Sequence, residues 1–346
     1  MKRLQFLSAP RSKRVSAVRK RSWRWWVLAL VAVLILPVLG LVGYAGYDYC
    51  NEEDDSLSDC AVNFMVNTYR TLWGGDSEVS SSDVTNPGTV SSGNFYSEAL
   101  DRTMRYVIYL PPGYDDPHNS STRYPVVYLL PGSSGGTKTW VSGGAMAQQM
   151  DGLLAQGKVQ PMILVVPQER PDYNVHGTGY VDGPLGNWAT YTTRDLVDQI
   201  DSNYRTVQSK DGRAIAGLSE GGYGAMNLGL KNSSEFGVIG SFSGYFAIDE
   251  HDLSSIFGGD QGLADANSPM TYLPQLEGEL PAIYFYVGGD DGKFLAENQE
   301  FADELEARGA SYEFNIFPGG SHNWDLWGAH LPDFLLFASA HLARGA

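Results

Sequence analysis

Hydrophobic and polar positions divide the chain into three stretches. Val27 to Tyr47 is a run of 21 residues without a charge. A helix of about 20 residues, rising 1.5 Å per residue, crosses the hydrocarbon core of a bilayer, so this run predicts one membrane span over residues 25–47. Residues 48–92 show no period, and from Asp76 to Gly93 they are rich in Ser, Gly, Thr and Asn. That composition reads as a stalk or linker. From about Phe95 short apolar runs alternate with longer amphipathic segments. The runs Arg105–Leu110, Val126–Leu130, Ile163–Val166, Arg213–Ala216, Val238–Ser241, Ala282–Val287 and Tyr312–Phe317 predict strands. Met146–Gln156, Thr193–Asn203, Tyr223–Lys231, Leu295–Arg308 and Leu331–Leu342 predict helices. Alternation of the two implies an α/β domain over residues 93–346, with a mainly parallel central sheet and helices on both faces.

Charge orients the first stretch. Residues 1–24 carry nine Lys or Arg and no acid, whereas Asp48, Glu52, Glu53, Asp54 and Asp55 follow the apolar run. Trp23, Trp25 and Trp26 stand at its start, where indole rings favour the membrane interface. The excess of positive charge places residues 1–24 in the cytoplasm and the body outside. Gly43-Tyr44-Ala45 offers a signal-cleavage pattern, so secretion is the alternative; the long basic block and long apolar run favour an uncleaved anchor. Cys50 and Cys60, the two cysteines of the chain, are then on the oxidising side, where a disulfide is expected. The whole chain is at −16, so the body is more acidic still, which argues against nucleic acid as a partner.

One motif gives the body a chemistry. Gly217-Leu218-Ser219-Glu220-Gly221 fits G-x-S-x-G. It follows the apolar Ala214-Ile215-Ala216 and opens a small-residue segment predicted to be helical. Strand, sharp turn and helix are the context in which a serine is presented as a nucleophile above the end of an α/β-hydrolase sheet. Glycines on both sides let strand and helix approach closely. The chain order of that fold then asks for an acid and a histidine after the serine. Of the six histidines, His322 alone lies in a glycine loop, Gly319-Gly320-Ser321-His322, directly after the last predicted strand. The acid comes from Gly288-Gly289-Asp290-Asp291, the loop ending the strand before. Adjacent side chains cannot both face the imidazole; Asp291 is favoured and Asp290 is the alternative. For the oxyanion, the loop Pro131-Gly132-Ser133-Ser134-Gly135-Gly136 offers the N–H of Ser133, and the residue after the nucleophile offers the N–H of Glu220. The Glu220 side chain is expected to turn away and pair elsewhere.

With these loops in place, residues 95–342 resemble the esterase D-like family of α/β-hydrolases, which includes S-formylglutathione hydrolases, feruloyl and acetyl-xylan esterases, and mycolyltransferases. The resemblance rests on Tyr109-Leu110-Pro111-Pro112-Gly113-Tyr114, on Tyr124 to Leu130, on Asn187-Trp188 through Tyr191, on Asp198 to Thr206, on Arg213 to Ala225, and on the acid and histidine loops. It implies Asp291 as the acid and Ser133 as one oxyanion donor. Pro131 and Glu220 depart from the family pattern, where a His or Asp and a Met or Gln are commoner. They leave the shape and polarity of the acyl pocket open.

The expected activity is a membrane-anchored extracytoplasmic serine esterase that works through an acyl-enzyme, with no cofactor and no metal. Its substrate is a small or cell-envelope ester. Transfer of the acyl group to a sugar or lipid hydroxyl is one alternative, and a non-catalytic binding ectodomain is another. Trp140, Trp188 and Trp324 could stack on sugar in the latter case, but buried aromatics are the ordinary expectation. The sequence leaves the oligomeric state open.

Overall fold

The computed structural model describes residues 86–133, 135–170 and 177–345. The apolar run 25–47, the stalk up to residue 85 and both cysteines lie outside the described residues. Among the described residues no helix is long and apolar enough to cross a membrane.

Ten strands are present among them: β1 Thr89–Ser97, β2 Arg102–Leu110, β3 Val126–Leu130, β4 Ile163–Pro167, β5 Asp182–Gly183, β6 Gly186–Asn187, β7 Arg213–Leu218, β8 Val238–Phe242, β9 Ala282–Gly288 and β10 Tyr312–Phe317. Eight of them form one sheet in the order β1-β2-β4-β3-β7-β8-β9-β10, while β5 and β6 make a small separate hairpin. From β4 to β10 every pairing is parallel. β2 runs antiparallel to β4 and to β1. The helices used below are α1 Met146–Ala155, α2 Leu196–Asn203, α3 Glu220–Lys231, α4 Glu250–Ser255, α5 Lys293–Ala307 and α6 Trp324–His341.

The period of two explains why the sheet is covered on both sides. In β3, Val126, Tyr128 and Leu130 point into one core with Ile215 and Phe285, under α2, α3 and α5. Val127 and Leu129 point into the other with Ala216 and Tyr286, under α1 and α6. Successive side chains of a strand face opposite ways, so a strand buried on both faces must be apolar throughout. This is why the central runs, and not alternating ones, marked the strands.

Three of the boundaries that differ from the expectation have a plain physical reason. The stalk was expected to reach residue 92, but β1 begins at Thr89 and pairs with β2 along its whole length. β1 is an edge strand with mostly exposed side chains, so it needs no apolar pattern. Helix α3 starts at Glu220 and not at Tyr223, because its glycines serve contact with the strand and not helix propensity. Helix α6 starts at Trp324, capped by the Asn323 side chain, which accepts from the N–H groups of Asp325 and Leu326. It runs through Pro332, which lacks the N–H that would bond the carbonyl of Gly328. The Gln149 amide donates to that carbonyl instead, at 2.6 Å.

Candidate active site

The turn at Ser219 is built by sterics. Ser219 has φ 53 and ψ −121, a region that costs a side-chain-bearing residue about 1–3 kcal/mol. The surroundings hold it there. Its N–H donates to the carbonyl of Phe242 at 2.8 Å, and its carbonyl accepts from the N–H of Tyr223 at 3.0 Å. A Cβ on Gly221 would lie 2.4 Å from the carbonyl oxygens of Leu130 and Pro131, and one on Gly217 would lie 2.3 Å from the carbonyl oxygen of Gly221. Only backbone fits between β7, α3 and the end of β3. Gly221→Ala is therefore expected to destabilise the fold by at least ~2–3 kcal/mol, as overpacked cores do. A thermal melt would read this as a loss of several degrees; an unchanged midpoint would show that the turn relaxes.

Two of the residues expected at the site converge on Ser219. The imidazole Nε2 of His322 lies 2.8 Å from Ser219 Oγ. Its Nδ1 lies 2.9 Å from Oδ1 of Asp291 and 3.2 Å from Oδ2. The Asp291 side chain is buried, at 2% exposure, while that of His322 is partly open at 31%. Asp290 is exposed, and its N–H is used by the carbonyl of Gly320 at 2.8 Å. The turn after β9 thus puts the second of the two acids, and not the first, against the ring. Two aromatic contacts not expected from the sequence hold that ring. Phe294 stacks on it with centroids 4.6 Å apart and planes 19° apart, and Trp327 meets it edge-on at 4.9 Å. Phe294 is the second residue of α5 and follows Asp291 by one tight turn, so acid and stacking partner arrive together.

The glycine loop after β3 runs beside the nucleophile. A Cβ on Gly132 would lie 3.4 Å from Cβ of Ser219, and the N–H of Gly135 closes the loop onto the carbonyl of Gly132 at 2.8 Å. Ser133, Ser219 and Glu220 all line one pocket of about 780 Å³, together with Tyr245, Ile248 and Phe294. That volume suits a small organic ligand. The pocket lies outside the carboxyl ends of the parallel strands, the usual place for ligands in open α/β sheets. Trp140 and Trp188 are fully buried, so neither offers a face to sugar. Trp324 packs edge-on against Trp140 at 5.3 Å.

The carboxyl of Glu220 does turn from the serine, but not to solvent. It is 3% exposed and accepts from the N–H of Gly179 at 2.6 Å. Burial, with a second buried carboxyl at Glu169 beside it, holds it well above the usual carboxylate range. Sequence reasoning passed over Glu169, because nothing local distinguishes this acid two residues past the end of β4.

A family model described as Putative esterase matches residues 97–338. The chain belongs to that family. Membership places this esterase among the carboxylic ester hydrolases. It is 27% identical over 252 residues to an endo-1,4-beta-xylanase/feruloyl esterase of Xylanibacter ruminicola, covering 70% of this chain and 30% of that protein. It is 26% identical over 270 residues to an acetyl esterase of Caldicellulosiruptor saccharolyticus, covering 69% of this chain and 93% of the relative. Among solved structures, a ferulic acid esterase superposes with a TM-score of 0.68 at 28% identity, covering 75% of this chain and all of that one. The fold is that of an α/β-hydrolase, with its mostly parallel sheet and flanking helices.

Proposed function

We propose that this esterase cleaves carboxylic esters by two-step acyl transfer on Ser219. The observation that carries the reading is the 2.8 Å contact between His322 Nε2 and Ser219 Oγ. In the first step His322 takes the hydroxyl proton as the oxygen attacks the ester carbonyl. The imidazolium so formed is stabilised by Asp291, whose buried carboxylate also keeps the remaining N–H on Nδ1. The oxyanion is held by the backbone N–H groups of Ser133 and Glu220. His322 then returns its proton to the departing alcohol. In the second step water, deprotonated by the same imidazole, releases the acid and restores Ser219. The relatives named above make acetyl and feruloyl esters the first acyl groups to offer. The basic block and apolar run at the N-terminus support an anchored enzyme with its body outside the cell.

The test uses the full-length chain, purified in detergent. A fluorophosphonate probe is expected to label the peptide that carries Ser219, and p-nitrophenyl acetate or methyl ferulate to protect it. A folded protein that takes no label would remove the assignment. Adding a sugar or glycerol acceptor separates the two fates of the acyl-enzyme: free acid marks hydrolysis, and a new ester marks transfer.

A further inference from the structure

Behind the oxyanion loop lies a second polar assembly that the ester chemistry does not use. Glu169 is fully buried and Glu220 nearly so. The two carboxyl groups bind the N–H groups of adjacent residues, Thr178 and Gly179, and so lie beside each other. Each also receives the backbone of one short segment. The N–H of Thr178 donates to Glu169 Oε1 at 2.8 Å, and its hydroxyl donates to the same oxygen at 3.1 Å. The N–H of Gly179 donates to Glu220 Oε1 at 2.6 Å. The other oxygen of Glu169 has no hydrogen-bond donor from any N–H or hydroxyl among the described residues. Two neighbouring buried carboxylates, one with an orphaned oxygen, lack one proton to be satisfied.

The segment so held reaches the oxyanion loop. Tyr180, at φ 54, donates its hydroxyl to the carbonyl of Pro131 at 2.8 Å. Its ring fills the space above Gly224 of α3, where a Cβ would sit 2.4 Å from Tyr180 Cδ2. Gly177 lies against the Glu220 carboxyl, with room for no side chain between them, and both line the pocket. One continuous path therefore joins the carboxyl pair, the backbone of Thr178 and Gly179, the Tyr180 hydroxyl, Pro131, and the loop that carries Ser133.

We propose that Glu220 carries a proton and shares it with Glu169, and that this carboxyl pair is a positioning device: it fixes Thr178–Tyr180, and through the Tyr180 hydroxyl it fixes the oxyanion loop. The inference deepens the Ser219 reading, on which its activity readout rests. It assigns Glu220 two separate tasks. Its backbone N–H faces the oxyanion, and its side chain braces the opposite donor of the same hole. Removal of the shared proton leaves two like charges beside each other in a buried site, which repel. The pair then parts and the loop loses its brace.

The device is sensitive to alkali. Burial raises both carboxyls above the ordinary glutamate value; the charge of Glu169 raises Glu220 as well, whereas interaction with Glu220 acts on Glu169 in the lowering direction. A carboxyl raised in the folded state stabilises the fold fully below its unfolded value, about 4.3, and ceases to do so as pH rises through its folded value. The surrounding charges act on both sides: Arg170 favours ionisation of Glu169, while Asp252 of α4 opposes ionisation of Glu220. The phenols of Tyr180, Tyr223 and Tyr245 stay neutral, since burial pushes all three upward.

The experiment compares full-length wild type with Glu220→Gln and Glu169→Gln. A glutamine at either position supplies an N–H donor that does not titrate. Activity is read as the ratio of kcat/KM at about pH 7.5 to that at about pH 9.5, within each protein. The ratio is expected to be about fivefold or more for wild type and below about twofold for both variants, since tenfold per pH unit is the limit for one essential proton. Thermal midpoints, which need no activity, are expected to fall more steeply with pH in wild type than in either variant. Equal ratios and parallel midpoint curves in all three proteins would overturn the proposal. Diverging midpoint curves in a protein that takes no fluorophosphonate would keep the shared proton and remove the Ser219 chemistry instead. Should Glu220→Gln fail to fold, Glu169→Gln, remote from the nucleophile in sequence, carries the same comparison.

Discussion

Ser219→Ala is expected to lower kcat/KM for a good ester by about 10⁴- to 10⁶-fold, the loss seen when the nucleophile of such a constellation is removed. The residual rate comes from the oxyanion donors and from binding, which the substitution leaves in place. The fold is expected to survive it. Both residues carry a Cβ, so the positive φ at position 219 strains alanine about as much as serine. The side-chain interaction lost is the one between Oγ and a His322 ring that is already partly open. Removing it changes stability by about 1 kcal/mol at most. Steady-state kinetics with a circular-dichroism melt on the same sample checks both halves. Activity within tenfold of wild type would move the nucleophile elsewhere. An unfolded variant would show that the contact to His322 supports the turn more than its geometry indicates.

The serine and the histidine could be read from the sequence because their loops are local. A G-x-S-x-G turn needs glycine at fixed offsets, and a Cβ at Gly217 or Gly221 collides with backbone only. His322 follows a strand and sits among glycines for the same kind of reason. The central strands could be read because burial on both faces demands unbroken apolar runs. What stayed hidden depends on partners distant in the chain. β1 is stabilised by its pairing with β2 and not by its own pattern. Glu169 and Glu220 are 51 positions apart, and the segment they hold, Thr178–Tyr180, has no periodicity. The start of α6 at Trp324, ahead of the predicted Leu331, depends in part on Gln149, far off in α1, which takes the carbonyl that Pro332 leaves open. The region Glu250–Tyr272 forms several helices of four to six residues, too short for a period of 3.6 to show.

The choice between the two adjacent acids yields the second large effect. Asp291→Asn is expected to reduce kcat by about 10⁴-fold, and Asp290→Asn to leave it within about threefold. The difference follows from the turn after β9. The N–H of Asp291 donates back to the carbonyl of Gly288 at 3.1 Å, and that of Asp290 donates to the carbonyl of Gly320 at 2.8 Å. The second bond ties the acid loop to the histidine loop through backbone, so it survives any side chain at position 290. The first aims the side chain of residue 291 inward, where its carboxylate is 2% exposed and 2.9 Å from Nδ1. An asparagine there keeps the shape but can present its amide N–H to the ring. Nδ1 would then become the acceptor and Nε2 the protonated atom, and a protonated Nε2 cannot take the serine proton. The loss should appear in kcat with little change in KM, because neither acid touches the pocket that binds the ester. A large loss in Asp290→Asn with a mild one in Asp291→Asn would reverse the assignment. It would mean that the loop turns over when substrate binds.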